Sequence, residues 1–253
     1  MRRWPWSCGA TSSMAPASDL GSDGPATPVA VLDLETRLSS AAASPGGRSV
    51  DVARSALHEV AAVCVLSFRV GTSGLDDLAL WSGRAAQRGE HSLIAELDRA
   101  LLPAWRGGGL LVTHNGFVHD VPVLLRRCAH HGMFHSAGIE PWAGAPERHR
   151  DTLRLWGGGA LRDLCVGIGI PFPRVAATVP TALRGLVKCE VDVVATALLW
   201  LHREAFARGG VGWLVRCWAD LGRFLSMSEA KRPHLLPIAR RGFELARLLE
   251  RAQ

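Results

Sequence analysis

The segment Val29-Ala30-Val31-Leu32-Asp33-Leu34-Glu35-Thr36 constrains this chain more than any other. It predicts a short apolar strand that ends in two carboxylates two positions apart. Side chains alternate across a strand, so Asp33 and Glu35 point the same way. Two negative charges held side by side next to a buried strand are costly unless a cation sits between them. The segment therefore predicts a divalent-metal site as well as a strand.

A chain of 253 residues, 48% of them apolar, can bury one substantial core. The expected organisation is a disordered segment over 1–28, a main domain over 29–208 and a C-terminal helical extension over 209–253. Residues 1–28 are rich in Ser, Pro, Ala and Gly and poor in large aliphatics, which predicts disorder or an overextended start upstream of Met14. Residues 39–48 read as a flexible loop by the same criterion. No apolar run approaches the ~20 residues that span a bilayer, and the longest, Val191 to Leu201, is interrupted by Asp192 and Thr196. Arg2 and Arg3 are followed by no apolar stretch, so a secretory signal is not expected. The six cysteines are scattered without a CxxC pair, several inside apolar segments. That predicts reduced, buried thiols and a cytoplasmic protein in preference to a disulfide framework or a zinc site. A net charge of +6 suits a phosphate-bearing partner but discriminates weakly by itself.

Residues 60–68 and 78–81 read as strands joined by a turn over 71–77, giving a three-stranded meander with the first run. Residues 92–105 have helical spacing, with Leu93, Ile94, Leu97, Leu101 and Leu102 on one face. Residues 110–113 predict a buried strand, broken by Asn115-Gly116. A helix follows over 120–133, with Pro122 in its first turn. Short helices are expected over 151–156 and 160–167, a strong one over 191–207, and two more over 213–224 and 235–249. Strands, then a strand–helix unit, then helices predict an α/β domain with a central mixed sheet.

Asp120 follows a buried strand and opens a helix, where it serves either as a cap or as part of a site at the strand ends. Asn115 has the same two readings, turn residue or site. Asp192 is expected in the first turn of a helix that is apolar on nearly every side, so its charge needs compensation, from the helix N-terminus, a basic partner or a metal. Glu190 is the alternative cap. Together, a strand bearing Asp-x-Glu, an Asp after a later strand and an Asp on a late buried helix form a set able to hold two Mg²⁺ ions. Hard oxygen ligands favour Mg²⁺ or Mn²⁺ over Zn²⁺. Gly107 to Gly109 and Gly157 to Gly159 lack the Gly-Lys-Ser/Thr of a phosphate loop, and His130, His131 and His135 lack supporting ligands for a metal cluster. Asp151 reads as a helix cap.

These segments resemble the DEDD superfamily of 3′–5′ exonucleases, which has the ribonuclease H-like fold. VAVLDLET resembles its first motif, LLVTHNGFVHDVPVLLRRC its second and VKCEVDVVATALLWL its third. Gly169-Ile170-Pro171 and the Cys189–Val193 segment are similar to a bacterial group of predicted exonucleases related to the proofreading domain of family-B DNA polymerases. The resemblance covers roughly residues 28 to 205. It implies a mixed central sheet flanked by helices, to which the helices read over 213–224 and 235–249 add an extra C-terminal part. It implies two-metal hydrolysis of terminal phosphodiesters, with Asp33, Glu35, Asp120 and Asp192 as catalytic metal ligands for two Mg²⁺ or Mn²⁺ ions. Thr36, Asn115 and Gly116 would meet the substrate, single-stranded 3′ ends, read as DNA, with nucleoside 5′-monophosphates as products. Arg126, Arg127 and Arg184 are candidates for phosphate contacts, or ordinary solvated arginines. The resemblance, in which an Asp often stands in the segment around 151, gives Asp151 a place near the site as the alternative to its cap reading.

The sequence departs from the family at two positions. Lys188 stands four residues before Asp192, where relatives carry a Tyr, and the chain has no tyrosine. Lys188 would serve as a hydrogen-bond donor or, with a depressed pKa, as a base. His119 precedes Asp120 where the family usually has Phe. The competing reading is a weak or inactive relative that binds nucleic-acid ends or a protein partner.

Overall fold

The structure is a computed structural model, and it describes residues 25–38, 58–208 and 210–252. The disorder expected over 1–28 therefore lies, for residues 1–24, outside the described residues, as does the loop expected over 39–48. The strands are β1 (Thr27–Leu38), β2 (His58–Val70), β3 (Leu75–Arg84), β4 (Leu110–Thr113) and β5 (His149–Asp151). The helices are α1 (Ala85–Arg88), α2 (Glu90–Arg106), α3 (Asp120–His130), α4 (Glu140–Gly144), α5 (Thr152–Leu155), α6 (Leu161–Gly167), α7 (Thr181–Arg208), α8 (Val211–Met227) and α9 (Leu236–Ala252).

One five-stranded sheet runs in the order β3-β2-β1-β4-β5. The first three strands form the expected antiparallel meander, while β4 lies parallel to β1 and β5 parallel to β4. This is the mixed, helix-flanked sheet of the ribonuclease H-like α/β expectation. β1 is central and apolar on both faces, as a strand covered by helices on both sides must be. Its Val29 and Val31 pack into a core built with α7, α8 and α9, and Ala30, Leu32 and Leu34 into a second core with α2 and α3. Asp33 and Glu35 continue the Val29–Val31 face, so strand alternation aims both toward α7.

α2 buries Leu93, Ile94, Leu97 and Leu101, as its periodicity requires. α7 is buried without interruption from Cys189 to Leu201, including Trp200 at 0% exposure; burying one such side chain is worth roughly 2–3 kcal/mol.

Three expectations are corrected. α7 begins ten residues before the expected 191, just after Pro180, so Asp192 lies well inside the helix and Glu190 is no cap. The segment from Thr181 to Lys188 is partly exposed and lacks the apolar run that marks the rest of the helix. The turn between β2 and β3 spans only 71–74, because β3 starts at Leu75. β5 is a new strand; His-Arg-Asp carries no apolar pattern, and its pairing with β4 is what makes it a strand. The five described cysteines are free and buried. No helix among the described residues is long and apolar enough to cross a membrane.

Candidate metal centre

The carboxylates come from three places that the sheet brings to one end. Asp33 and Glu35 lie on β1 beyond its last pairing with β4, Val31 with Val112. Asp192 faces them from α7. Ligand oxygens of Asp33, Glu35 and Asp192 all lie within 4.8 Å of one another. Asp120, in the first turn of α3, is not one of those three; it is 5% exposed and acts on Asp33 and Glu35 through its charge.

A shift of register between β1 and β2 falls between Glu35 and Thr36, with Glu35 opposite Ala62 but Thr36 opposite Val60. Such a bulge re-aims the side chains beyond it. Thr36 consequently pairs its hydroxyl with His58 Nδ1 at 2.8 Å, and the His58 ring meets His119 edge-on at 5.8 Å. His119 Nδ1 lies 3.0 Å from Asp120 Oδ1, and that contact raises the imidazole's pKa above its usual value.

The site is electrostatically unbalanced. Burial, then the Asp192 and Asp120 carboxylates, push the Asp33 carboxyl well above the usual carboxylate range. Burial also raises Asp120, partly offset by His119. Asp33 Oδ2 and Asp192 Oδ1 are buried with no hydrogen-bond partner. Hard oxygen donors, crowded and partly unpartnered, are the donor set of Mg²⁺ or Mn²⁺, so the residues present fit the ions that the motifs imply.

Lys188 supplies the cationic contact. Its Nζ donates to Glu35 Oε1 and, at 2.8 Å, to Asp192 Oδ2, one helical turn away. Burial works against its charge, but the Asp192 and Glu35 carboxylates outweigh it and raise the ammonium pKa above its ordinary value. Lys188 is thus a charged hydrogen-bond donor here, and the depressed-pKa base considered from sequence is corrected. Glu35 is raised by burial, with Lys188 pulling the other way. Cys189 Sγ donates to the Asp33 carbonyl at 3.1 Å, tying α7 to β1 beside the cluster.

Asn115 adopts a left-handed backbone, φ 70°, in the connection between β4 and α3. Gly116 follows, where an added Cβ would lie 2.3 Å from Thr113 Oγ1, so only glycine lets the chain turn back over the strand end. Arg127 is not available to a phosphate: it pairs with Glu90 and is 12% exposed. Arg184 donates to the Val179 and Ala177 carbonyls from an exposed position. Beside the cluster opens a cleft of about 420 Å³, lined by Phe172, Pro173, Arg162, Arg174, Lys188 and Asp192 among others. The cleft is missing from the sequence reading, because the 172–175 segment shows neither periodicity nor motif.

No protein-family model matches the chain, and no curated protein matches its sequence. Among solved structures, a family B DNA polymerase from the hyperthermophilic archaeon Pyrobaculum calidifontis superposes with a TM-score of 0.47 at 15% identity, covering 80% of this chain and 30% of that one. A moderately thermophilic Exonuclease I from Methylocaldum szegediense gives 0.39 at 15% identity, covering 78% and 46%. An apo Exonuclease I gives 0.33 at 11% identity, covering 80% and 47%. The chain spans less than half the length of each of these proteins. All three TM-scores lie below 0.5.

Proposed function

We propose that this protein is a metal-dependent 3′–5′ exonuclease that hydrolyses terminal phosphodiesters of single-stranded nucleic acid, DNA in the first instance, to nucleoside 5′-monophosphates. The carrying observation is the meeting of Asp33, Glu35 and Asp192 within 4.8 Å, with buried oxygens of two of them unpartnered. Asp33, Glu35 and Asp192 would hold Mg²⁺ or Mn²⁺, with Asp120 completing a second position. When bound, such ions supply Lewis-acid activation of water and neutralise charge on the phosphate.

The chain's own residues suit the remaining tasks. Lys188 donates hydrogen bonds at the mouth of the cluster, where the family's Tyr would stand. The adjoining cleft offers Phe172 and Pro173 as an apolar wall for a base, and Arg162 and Arg174 for phosphates. Asn115 and Gly116 turn the chain at the strand end beside Asp120, and Thr36 borders Glu35; these are the proposed substrate contacts.

Purified protein with Mg²⁺ or Mn²⁺ should shorten 5′-labelled single-stranded DNA from its 3′ end, and Asp33→Ala should reduce this to background. Full activity in Asp33→Ala would refute the assignment. The second reading, an inactive relative that binds nucleic-acid ends, is favoured by one observation: Lys188 already neutralises two of the carboxylates. Calorimetric titration separates the two, because an inactive relative binds Mn²⁺ weakly and gives no products.

A further inference from the structure

We propose that Asp151 is a positioning residue that fixes where Asp120 enters the metal centre; this rests on the exonuclease reading of the site. Asp120 owes its place to the connection from Thr113 to the start of α3. That connection has no ladder of its own, and its backbone N–H groups need partners. Asp151 provides them. Its Oδ1 accepts from Asn115 N at 2.8 Å, its Oδ2 from Phe117 N at 3.3 Å, and Oδ1 also caps α5 through Leu153 N at 3.0 Å. Asp151 is 3% exposed, and both oxygens are committed to the backbone, so it acts through the loop.

Its placement follows from the sheet. β5 pairs parallel with β4 in a register that sets Asp151 opposite Thr113, the last residue of β4. The neighbours of Asp151 hold the same loop. His149 Nε2 pairs with Thr113 Oγ1 at 2.8 Å, and its ring stacks on Phe117 at 4.0 Å. Thr152 Oγ1 donates to the Thr113 carbonyl at 3.0 Å and lies 2.9 Å from His114 Nδ1. The grip is passed on to α3, because His119 N donates to Asn115 O at 3.0 Å and Val121 N to Gly116 O at 3.0 Å. Asp120 lies between those two anchored residues. The chain of bonds runs from Asp151 through Asn115 and Gly116 to the helical turn that carries the carboxylate.

The test is a double-mutant cycle with Asp151→Asn and Asp120→Asn, read by Mn²⁺ calorimetry, by kcat against KM, and by amide hydrogen exchange. In Asp151→Asn the side-chain amide can no longer accept from both Asn115 and Phe117. Exchange of the 114–121 amides should accelerate, while cooperative unfolding is kept. The Mn²⁺ site that depends on Asp120 should weaken by about 10- to 100-fold, and kcat should fall with KM little changed. The double variant should be no worse than Asp120→Asn alone, since both lesions act on one carboxylate. Asp151→Glu, which keeps the charge but displaces both acceptor oxygens from Asn115 N and Phe117 N by one methylene, serves if Asp151→Asn does not fold and should shift exchange and metal affinity in the same direction. Unchanged exchange in 114–121, or effects that add in the double variant, would overturn the proposal. If the wild-type protein neither binds Mn²⁺ nor cleaves, the exonuclease reading fails by itself, and the exchange measurement still decides whether Asp151 holds the loop.

Discussion

Lys188 and the carboxylates it bridges hold one charge balance between them. A lysine that neutralises Glu35 and Asp192 also repels any cation offered to the same oxygens. Lys188→Met should therefore bind Mn²⁺ more tightly, on the order of tenfold, measured by calorimetry at fixed ionic strength; weaker binding would show that the ammonium organises the site instead of competing for it. A second residue-scale consequence concerns His149. Burial holds its imidazole near a pKa of about 4, against 6.5 for the free side chain. The folded state thus binds this proton less readily than the unfolded state, so the contribution to stability is full above about pH 6.5 and is lost as the pH falls toward 4. His149→Gln should reduce the stability lost between pH 7 and pH 4.5 by about 2 kcal/mol, read from urea unfolding at both pH values. His202, held by burial to about 4 and accepting a hydrogen bond from Trp218 Nε1 at 3.2 Å, retains its own share of the acid sensitivity.

At the scale of elements, α8 and α9 cross where glycine faces glycine. A Cβ added at Gly242 would meet the Trp218 carbonyl at 2.5 Å and the Gly222 Cα at 3.5 Å. Backbone cannot yield as a side-chain tip does, so Gly242→Ala should drive the helices apart and destabilise the protein by about 1–3 kcal/mol, measured as a lowered urea midpoint with an unchanged slope. Long, periodic elements were legible in the sequence: α2 and β4 lie where their apolar patterns put them, because burial on one face or on both leaves a readable period. β5 was not legible, since His149, Arg150 and Asp151 are strand only by virtue of pairing with β4. The first turns of α7 were missed for a related reason, as a half-exposed helix start has no continuous apolar run. A helix starting at 191 would set Asp192 in its first turn and Glu190 at its cap, whereas both lie inside α7.

For the molecule as a whole, the C-terminal helices share one core with the sheet: Trp213, Trp218, Leu221 and Ile238 cluster with Val31, Leu66 and Trp200. Glu190 joins the same parts through polar contacts. It takes Arg232 Nε at 2.9 Å, His234 Nε2 at 2.9 Å and Ser82 Oγ at 2.6 Å, and although burial raises its pKa these partners bring it below the usual value. Removing one member of a buried ionic group strands the others, so Glu190→Ala should cost about 3 kcal/mol, seen in urea unfolding; a loss within 0.5 kcal/mol, roughly the scatter of surface substitutions, would mean that the apolar core alone holds the extension. The sequence by itself determined the α/β class, the meander, and the strand whose alternation aims Asp33 and Glu35 one way, because these follow from local periodicity. Only the tertiary structure decided that Asp192 would meet them, that Lys188 would stand charged between two carboxylates, and that Asp151 would hold the loop leading to Asp120. Those outcomes depend on strand order and register, which bring distant segments together, and no local pattern of residues encodes such a distance.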